Sequence, residues 1–372
     1  SLAPNASSVT EQDEEVQSPA GNSPPKKQYK ELAIAKGVDQ YGGAFLLILG
    51  VFGNITSLIV LRRKRFRSLP SSLYLTVLAI SDFLTIAVGQ GGRHWIRALT
   101  GKDILSLSTF YCKVWYLIVP VSTSYSTWIL TAVTVERCLA ISAPLLAKKI
   151  NMQKSSRRFL VISLILLSLY YIYSLVLYEI VDTSRGKICD IIPKNELFVY
   201  SIRPWFEYIA YSIFPGTLIF LCNVIMIITL IKARRVRRRQ LANNKQQENE
   251  TTGSIITMLI TISFTFLVLT TPIRVNFILN VYFPSNYWQE DSRAALNRLN
   301  WALSIFCLYL NHAINFLLYL ISGREFRQEF ASLFGCCPKQ NTDMTGARTK
   351  TTSLSTSKTA TVSAVPVADN KV

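Results

Sequence analysis

Seven apolar segments, each long enough to cross a bilayer, constrain this chain more than any other feature of its sequence. A transmembrane helix needs about 20 predominantly apolar residues, because each residue adds about 1.5 Å to a path of about 30 Å. The segments occupy residues 41–62, 72–92, 109–140, 158–181, 204–231, 254–281 and 299–321. We therefore predict an all-α membrane protein with a seven-transmembrane helix bundle at residues 41–321.

The basic residues are concentrated in alternate loops, which predicts the orientation of the bundle. They form RRKRFR at 62–67, pairs at 148–149 and 157–158, and KARRVRRR at 232–239. Because Lys and Arg accumulate in cytoplasmic loops, we expect a plasma-membrane protein with its N-terminus outside and its C-terminus inside. This distribution also accounts for the formal charge of +18 and argues against nucleic-acid binding.

Both ends of the chain are polar, and we predict that they are disordered. Residues 1–40 are rich in Ser, Pro, Glu and Lys, and residues 338–372 are rich in Ser and Thr. The chain begins with Ser1 rather than Met, as expected where the true start is missing. Asn5 is a glycosylation acceptor if the first tail lies outside. Phosphates on the last tail would create an anionic docking segment for an arrestin-like partner.

Two cysteines fall on the outer side of the predicted bundle. Cys112 begins the third span, and Cys189 lies between the fourth and fifth spans. The outer compartment is oxidising enough to retain a structural disulfide. We therefore predict a bridge from Cys112 to Cys189 that fastens the second outer loop over the helices.

Residues 322–337 follow the last span and are predicted to form an interfacial helix on the inner leaflet. Phe326, Phe330, Leu333 and Phe334 recur at helical spacing and would contact membrane lipids. The pair Cys336 and Cys337 directly beyond them is a candidate palmitoylation site, with two unmodified thiols as the alternative.

Motifs in successive spans carry a resemblance to one receptor family. They are Gly53-Asn54, Leu78-Ala79-Ile80-Ser81-Asp82, Cys112, Glu136-Arg137-Cys138, Pro215, Phe266 with Pro272, and the run from Asn315 to Tyr319. On these motifs the chain resembles a rhodopsin-like, class A G-protein-coupled receptor over about residues 40–337. The resemblance implies a receptor that activates a heterotrimeric G protein. An enzyme is not expected, because no metal-ligand cluster, nucleophile elbow or phosphate loop is visible.

Asp82 is the candidate for an ion site inside the membrane. An ionisable residue in mid-span is functional by default, because it must be paired or hydrated. The resemblance implies that its neighbours are Asn54, Ser126, Asn311 and Asn315, an oxygen-rich set suited to an allosteric sodium ion. A satisfied polar network without an ion is the alternative, and no other metal or cofactor is expected.

Glu136 and Arg137 form the candidate switch for G-protein coupling. Glu136 can hold Arg137 by a charge-assisted hydrogen bond at rest. The family pattern implies that Arg137 moves towards the G protein and Tyr319 on activation. A snorkelling interfacial arginine is the alternative.

Pro215 and Pro272 are expected to bend their helices, because proline removes a backbone hydrogen bond. Three other positions depart from the family's motifs: Thr270 replaces a tryptophan, Phe316 a proline and Cys138 a tyrosine. These departures leave open how the switch operates.

The side chains predicted to face the outer cavity combine aromatic rings with charges of both signs. They are Gln90, Arg93, Trp115, Tyr116, Val119, Thr123, Glu207, Tyr211, Arg274, Trp301 and Tyr309. Val119 stands where amine receptors carry aspartate, and Tyr309 where opsins carry lysine, so neither subclass is expected. The combination suits a peptide ligand. Mutual neutralisation of Glu207 and Arg274 is the alternative.

The most similar group is that of invertebrate neuropeptide receptors of the FMRFamide-like type, so we predict a neuropeptide receptor. A chemosensory receptor for a small molecule shares every motif and is the main alternative. A seven-helix transporter or channel that uses Asp82 is less favoured, because neither inverted repeats nor further mid-membrane charges are visible.

Overall fold

The computed structural model describes most of the chain between residues 29 and 334. The described ranges are 29–67, 70–149, 152–183, 186–192, 202–239, 246–283, 287–288 and 290–334. Asn5, Cys336, Cys337 and the tail 338–372 lie outside them. Glycosylation, palmitoylation and a phosphorylated tail therefore stay predictions.

The main helices are labelled α1 to α9 in chain order, and the strands β1 and β2. The helices are α1 (Lys30–Gly37, π-helical Val38–Gly42 and Gly43–Leu61), α2 (Pro70–Leu84, π-helical Thr85–Trp95 and Ile96–Thr100), α3 (Thr109–Ser142), α4 (Met152–Tyr171 and Ser174–Leu177), α5 (Arg203–Tyr208, π-helical Ile209–Ile213 and Phe214–Arg239), α6 (Gln246–Tyr282), α7 (Asp291–Ala313), α8 (Asn315–Ser322) and α9 (Arg324–Ala331). Short helices occupy Lys64–Arg67 and Pro144–Lys149, and 3₁₀ turns Ile104–Leu107 and Ser332–Phe334. The strands are β1 (Tyr178–Thr183) and β2 (Gly186–Ile191).

The helices form the predicted seven-span bundle. Within the described residues, α1 to α6 are each long and apolar enough to cross a membrane, and α7 with α8 supplies a seventh, bent span. The central helix α3 packs against α2, α4, α5 and α6, and α7 closes the ring between α1 and α6. The core includes Ile129 and Val133 of α3, Ile219 of α5 and Leu259 of α6, all fully buried. The all-helical spans satisfy their backbone groups internally, as a bilayer requires.

The first helix begins earlier than predicted, so a disordered tail over residues 1–40 is wrong for residues 30–40. The polar groups that suggested disorder are bonded to neighbouring helices. Asp39 forms an ion pair with Arg298 of α7. Gln40 donates from Nε2 to the carbonyl of Ala98 at 2.7 Å, and its own carbonyl accepts from Trp95 Nε1 at 3.2 Å.

The all-α fold class is confirmed, but a short β-hairpin replaces the end of the predicted fourth span. The fourth span was expected to reach residue 181, but the helix ends at Leu177 and β1 pairs antiparallel with β2. Ile180 lies opposite Cys189 in this register. Cys189 is bonded to Cys112 with their Cα atoms 5.7 Å apart, which confirms the predicted disulfide. The bond fixes the hairpin to the first turn of α3.

The seventh span bends where no proline occurs. The axes of α7 and α8 differ by 53° across Ile314. Asn54 of α1 stabilises the bend by donating from Nδ2 to the carbonyl oxygen of His312 at 3.0 Å. Pro215 follows the π-helical turn of α5, whereas Pro272 lies inside the continuous α6. Bends at these two prolines stay predictions.

Helix α9 faces the bundle more than predicted. Phe326, assigned to a lipid-facing surface, is buried against Tyr319 and Phe66, with ring centroids 5.2 and 6.1 Å away. Ion pairs join Arg63 to Glu329 at 3.4 Å and Arg65 to Glu325. These ion pairs connect α9 to the segment between α1 and α2, because the acidic residues belong to α9 and the basic residues belong to that segment.

Candidate functional site

The bundle carries polar groups at three levels, which we name by their residues. The disulfide end contains Cys112, Cys189 and the hairpin. The Asp82 cluster lies midway along α2. The Arg137 end contains the last turns of α3 and the helix α9.

At the Arg137 end, Glu136 accepts from two donors. Its Oε1 lies 3.4 Å from an Nη atom of Arg137, and its Oε2 accepts from the Ser156 hydroxyl of α4 at 2.9 Å. Glu136 is 7% exposed and Ser156 is fully buried. The carboxylate is therefore oriented by α4 as well as by the arginine next to it, a contact that the sequence analysis did not predict.

Tyr319, the third predicted switch residue, is not joined to this pair. Its hydroxyl is buried and has no hydrogen-bond partner among the described residues. The Nε atom of Arg137 is likewise buried and has no such partner within the described chain. A different polar link, from Thr134 of α3 to Ser263 of α6 at 3.1 Å, lies two residues before Glu136. Groups that lack partners here are available to a rearranged bundle or to a second protein.

In the Asp82 cluster, the carboxylate is enclosed by three side chains. Ser126 of α3 donates to Oδ1 at 2.5 Å, and Nδ1 of His312 lies 2.7 Å from the same oxygen. Asn315 of α8 donates from Nδ2 to Oδ2 at 2.7 Å. Asp82 is 1% exposed, so this carboxylate connects α2, α3, α7 and α8 away from solvent.

The set of neighbours differs from the predicted one in two places. Within the described residues, His312 bonds to Asp82 in the position expected for Asn311, which is only half-buried. Asn54 bonds to the backbone of His312 and not to the carboxylate. Successive residues of a helix point about 100° apart. The residue of α7 that points towards Asp82 is therefore His312, one position after the Asn311 that the resemblance implied.

At the disulfide end, the hairpin lies over the helices through Tyr178. Its ring stacks on Tyr116 of α3 with centroids 3.7 Å apart, and its hydroxyl accepts from Arg203 at 2.8 Å. Burial raises the pKa of the Tyr178 phenol, while the adjacent Arg203 acts in the opposite direction. The hydroxyl is therefore held in its neutral, hydrogen-bonding form.

A first charged group at this end is centred on Arg93 of α2. Its Nε and Nη2 atoms donate to Asp103 at 3.1 and 2.9 Å, and its guanidinium lies 4.6 Å from the Trp115 ring centroid. The neighbouring His94 packs against Tyr309 at 5.5 Å. Arg93 thus contacts Trp115, and His94 lies between the rings of Trp115 and Tyr309.

A second charged group is centred on Glu207 of α5. Glu207 lies 3.7 Å from Arg203 on the same helix and accepts from the Tyr173 hydroxyl at 3.5 Å. Arg274 does not neutralise it. In the described part of the chain no carboxylate pairs with Arg274, whose guanidinium lies 5.6 Å from the Phe266 ring centroid and passes beside Gly216. A Cβ atom at Gly216 would come within 3.1 Å of an Arg274 Nη atom, so glycine makes room for this side chain.

The remaining predicted pocket residues are less closely grouped. Thr123 donates to the carbonyl of Val119 at 2.9 Å and is thus directed at its own helix. Tyr211 stacks on Tyr171, with centroids 6.1 Å apart. Gln90 Oε1 and Trp301 Nε1 are buried and have no hydrogen-bond partner among the described residues. Gln90 borders a water-sized cavity of about 10 Å³ between α1, α2 and α7.

Sequence reasoning missed His94, Asp103, Tyr178 and Arg203. A signal existed for Arg203, because it precedes Glu207 by four residues, the spacing of an ion pair on one helix. No equivalent signal existed for Tyr178, whose role depends on the hairpin.

Comparison with known proteins gives three similar peptide receptors and one family. The family model described as "7 transmembrane receptor (rhodopsin family)" matches residues 53–319. The "FMRFamide peptide receptor frpr-18" of Caenorhabditis elegans is 25% identical over 310 residues, 78% of this chain and 68% of that protein. The "Neuromedin U receptor homolog nmur-2" of the same organism is 24% identical, covering 78% and 77%. The "Thyrotropin-releasing hormone receptor" of Bos taurus is 22% identical, covering 78% and 76%.

Proposed function

Because the chain belongs to the rhodopsin family of seven-transmembrane receptors, we propose that it binds an extracellular neuropeptide and activates a heterotrimeric G protein at the plasma membrane. The family consists of signalling receptors and not of enzymes. The relatives named for FMRFamide, neuromedin U and thyrotropin-releasing hormone support a peptide ligand.

In this proposal the disulfide end is extracellular and the Arg137 end is cytoplasmic. A disulfide persists in an oxidising compartment, which favours the outer side for Cys112 and Cys189. The basic segments at 62–67 and 232–239 belong to the opposite end, as the positive-inside rule requires.

The observation that carries the peptide proposal is a continuous row of polar and aromatic contacts across the disulfide end. Arg93 lies 5.8 Å from the ring centroid of Tyr116, Tyr116 stacks on Tyr178, and Tyr178 bonds to Arg203, which pairs with Glu207. This row runs from α2 through α3 and the hairpin to α5. A peptide has donors and acceptors along its whole backbone and can match such a row, with side chains filling the spaces between rings.

Arg274 adds a cation to α6, where it faces Gly216 of α5. Its guanidinium is half-buried and is not matched by a carboxylate within the described residues. A buried charge without a partner is unfavourable, so a ligand that places an acceptor there gains a charge-assisted hydrogen bond. We assign to Arg274 the role of binding a carbonyl or carboxylate group of the peptide.

Signal transfer is assigned to the Arg137 end. Movement of Arg137 away from Glu136 would expose a guanidinium to the G protein, and the unpartnered Tyr319 hydroxyl is the proposed acceptor for it inside the bundle. Arrestin binding through the tail 338–372 and contact of α9 with lipids complete the proposal.

The test is a peptide-library screen on cells that express the receptor, with nucleotide exchange on the G protein as the readout. Once an active peptide is found, Arg274→Gln should raise the concentration for half-maximal exchange by about tenfold or more, the effect of losing a hydrogen bond to a charged group. Arg158→Gln, an exposed arginine at the other end, is the matched control and should change it little.

Two outcomes would contradict the proposal. Activation by small organic molecules and by no peptide would favour the chemosensory alternative. Equal effects of Arg274→Gln and Arg158→Gln would remove Arg274 from the ligand site.

A further inference from the structure

Three side chains of the protein itself are hydrogen-bonded to the Asp82 carboxylate. Two donors, Ser126 and His312, lie 2.5 and 2.7 Å from Oδ1, and Asn315 lies 2.7 Å from Oδ2. An ionised carboxylate only accepts hydrogen bonds, so each of these neighbours presents a hydrogen to it. For His312 this places the N–H on Nδ1.

A sodium ion requires a different arrangement of the same groups. Hard cations bind through oxygen lone pairs, supplied by carboxylates, carbonyls, hydroxyls and waters. At Asp82 the groups directed at the carboxylate are an imidazole nitrogen, an amide nitrogen and one hydroxyl that donates. The residues present therefore do not fit the ion that the family resemblance implied.

His312 is the residue that occupies the place expected for a sodium ligand. It is 2% exposed, and its ring occupies the space between α7 and α2 next to Oδ1. The other expected oxygen donors are turned elsewhere. Asn54 is bonded to the His312 carbonyl at 3.0 Å, and half-buried Asn311 lies one residue away on the helix.

We propose that His312 takes the place of sodium at Asp82 and makes this receptor independent of that ion. Through its side chain it connects α7 to Asp82, and through its carbonyl it connects α7 to Asn54 of α1. Both bonds lie within three residues of the bend at Ile314. His312 is thus a positioning residue that performs with a protein hydrogen bond what a bound cation would do by coordination.

The first experiment uses the unmodified receptor and needs no ligand. Thermal unfolding of the purified protein in lipid nanodiscs is followed while sodium chloride replaces choline chloride at constant ionic strength. An ion that binds only the folded state raises the melting temperature as its concentration rises. We expect equal melting temperatures in the two salts. A saturable increase in sodium, lost in Asp82→Asn, would overturn the proposal.

The second experiment creates the site that the histidine replaces. In His312→Ser the ring is exchanged for a small hydroxyl with oxygen lone pairs, and a melting temperature that rises with sodium is expected. The control Asn311→Ser places the same hydroxyl one residue earlier, at a half-buried position that does not bond to Asp82, and should stay independent of sodium. A His312→Ser protein that folds but ignores sodium would show that His312 is not what excludes the ion.

Because both measurements omit the ligand, their outcome is separate from that of the peptide proposal. A receptor that binds no peptide could still confirm the role of His312. A peptide receptor that is stabilised by sodium would refute that role alone.

Discussion

The disulfide end and the Arg137 end of the bundle both contain ion pairs and packed rings, but among the described residues only the disulfide end also has a covalent bond between its elements. The disulfide end has a covalent bond and a dense set of stacked rings, including Tyr116 on Tyr178. The Arg137 end depends on ion pairs and on hydrogen bonds to charged groups, such as those of Glu136 and Glu325. A covalent bond survives rearrangement, whereas ion pairs exchange partners readily. The rigid connection therefore lies at the proposed ligand end, and the exchangeable one lies at the end proposed to bind the G protein.

The largest expected effect is loss of the covalent connection. Cys112→Ser and Cys189→Ser should each destabilise the protein by about 2 to 5 kcal/mol, because the bond closes a long loop. Surface expression and the melting temperature measure the effect. The double variant should match the single ones, and Cys307→Ser, which removes a free thiol, is the control. Additive losses in the double variant would contradict a shared bond.

A smaller effect is expected from the hydrogen bond between Ser156 and Glu136. Ser156→Ala removes one of the two donors to the carboxylate, at a cost of about 1.5 to 3 kcal/mol to the resting arrangement. Nucleotide exchange without ligand should therefore rise, whereas Arg137→Ala should abolish exchange. Ser163→Ala is the matched control, because that hydroxyl bonds to the backbone of its own helix. Equal basal exchange in the two serine variants would remove Ser156 from the switch.

The smallest effect is expected from the ion pair between Arg65 and Glu325. Arg65 is 45% exposed whereas Glu325 is buried, so we expect a contribution of about 1 kcal/mol, the upper end of the range for exposed pairs. A double-mutant cycle on the melting temperature, with alanine at each position, gives the coupling energy. High salt should reduce it, since the screening length falls to about 3 Å at 1 M. A coupling energy that does not change with salt would contradict the claim that the Arg137 end is connected by exchangeable ion pairs.

Much of the fold was predictable because it depends on sequence patterns that are local. Span length, the alternation of basic loops and the compartment of Cys112 and Cys189 need no three-dimensional information. The start of α1 was missed for the opposite reason. Asp39 and Gln40 look like residues of a disordered tail until Arg298 and Ala98, far along the chain, are known to bond them.

For the Asp82 cluster, the sequence predicted most of the residues but not how they are bonded to one another. Asp82, Ser126 and Asn315 do meet, as the family resemblance implied. The resemblance named the wrong residue of α7 as the neighbour of Asp82. The chain bends at Ile314, two residues after His312, and no proline in the sequence signals this bend. Asn311 was predicted at this position, but His312 occupies it, so the carboxylate meets a ring nitrogen where an amide oxygen was expected.

The bend also gives α8 mechanical leverage. Eight residues at about 1.5 Å each make an arm of about 12 Å beyond Ile314, so a rotation of about 10° displaces its far end by about 2 Å. Shifts of about 1 to 2 Å are the scale on which helices move in switching proteins. Since α9 follows α8 after Gly323, the same rotation would carry Glu325 and Glu329 past the arginines that bind them. A change in the angle between α7 and α8, beside Asp82, would thus change the ion-pair partners of Glu325 and Glu329 some 12 Å away.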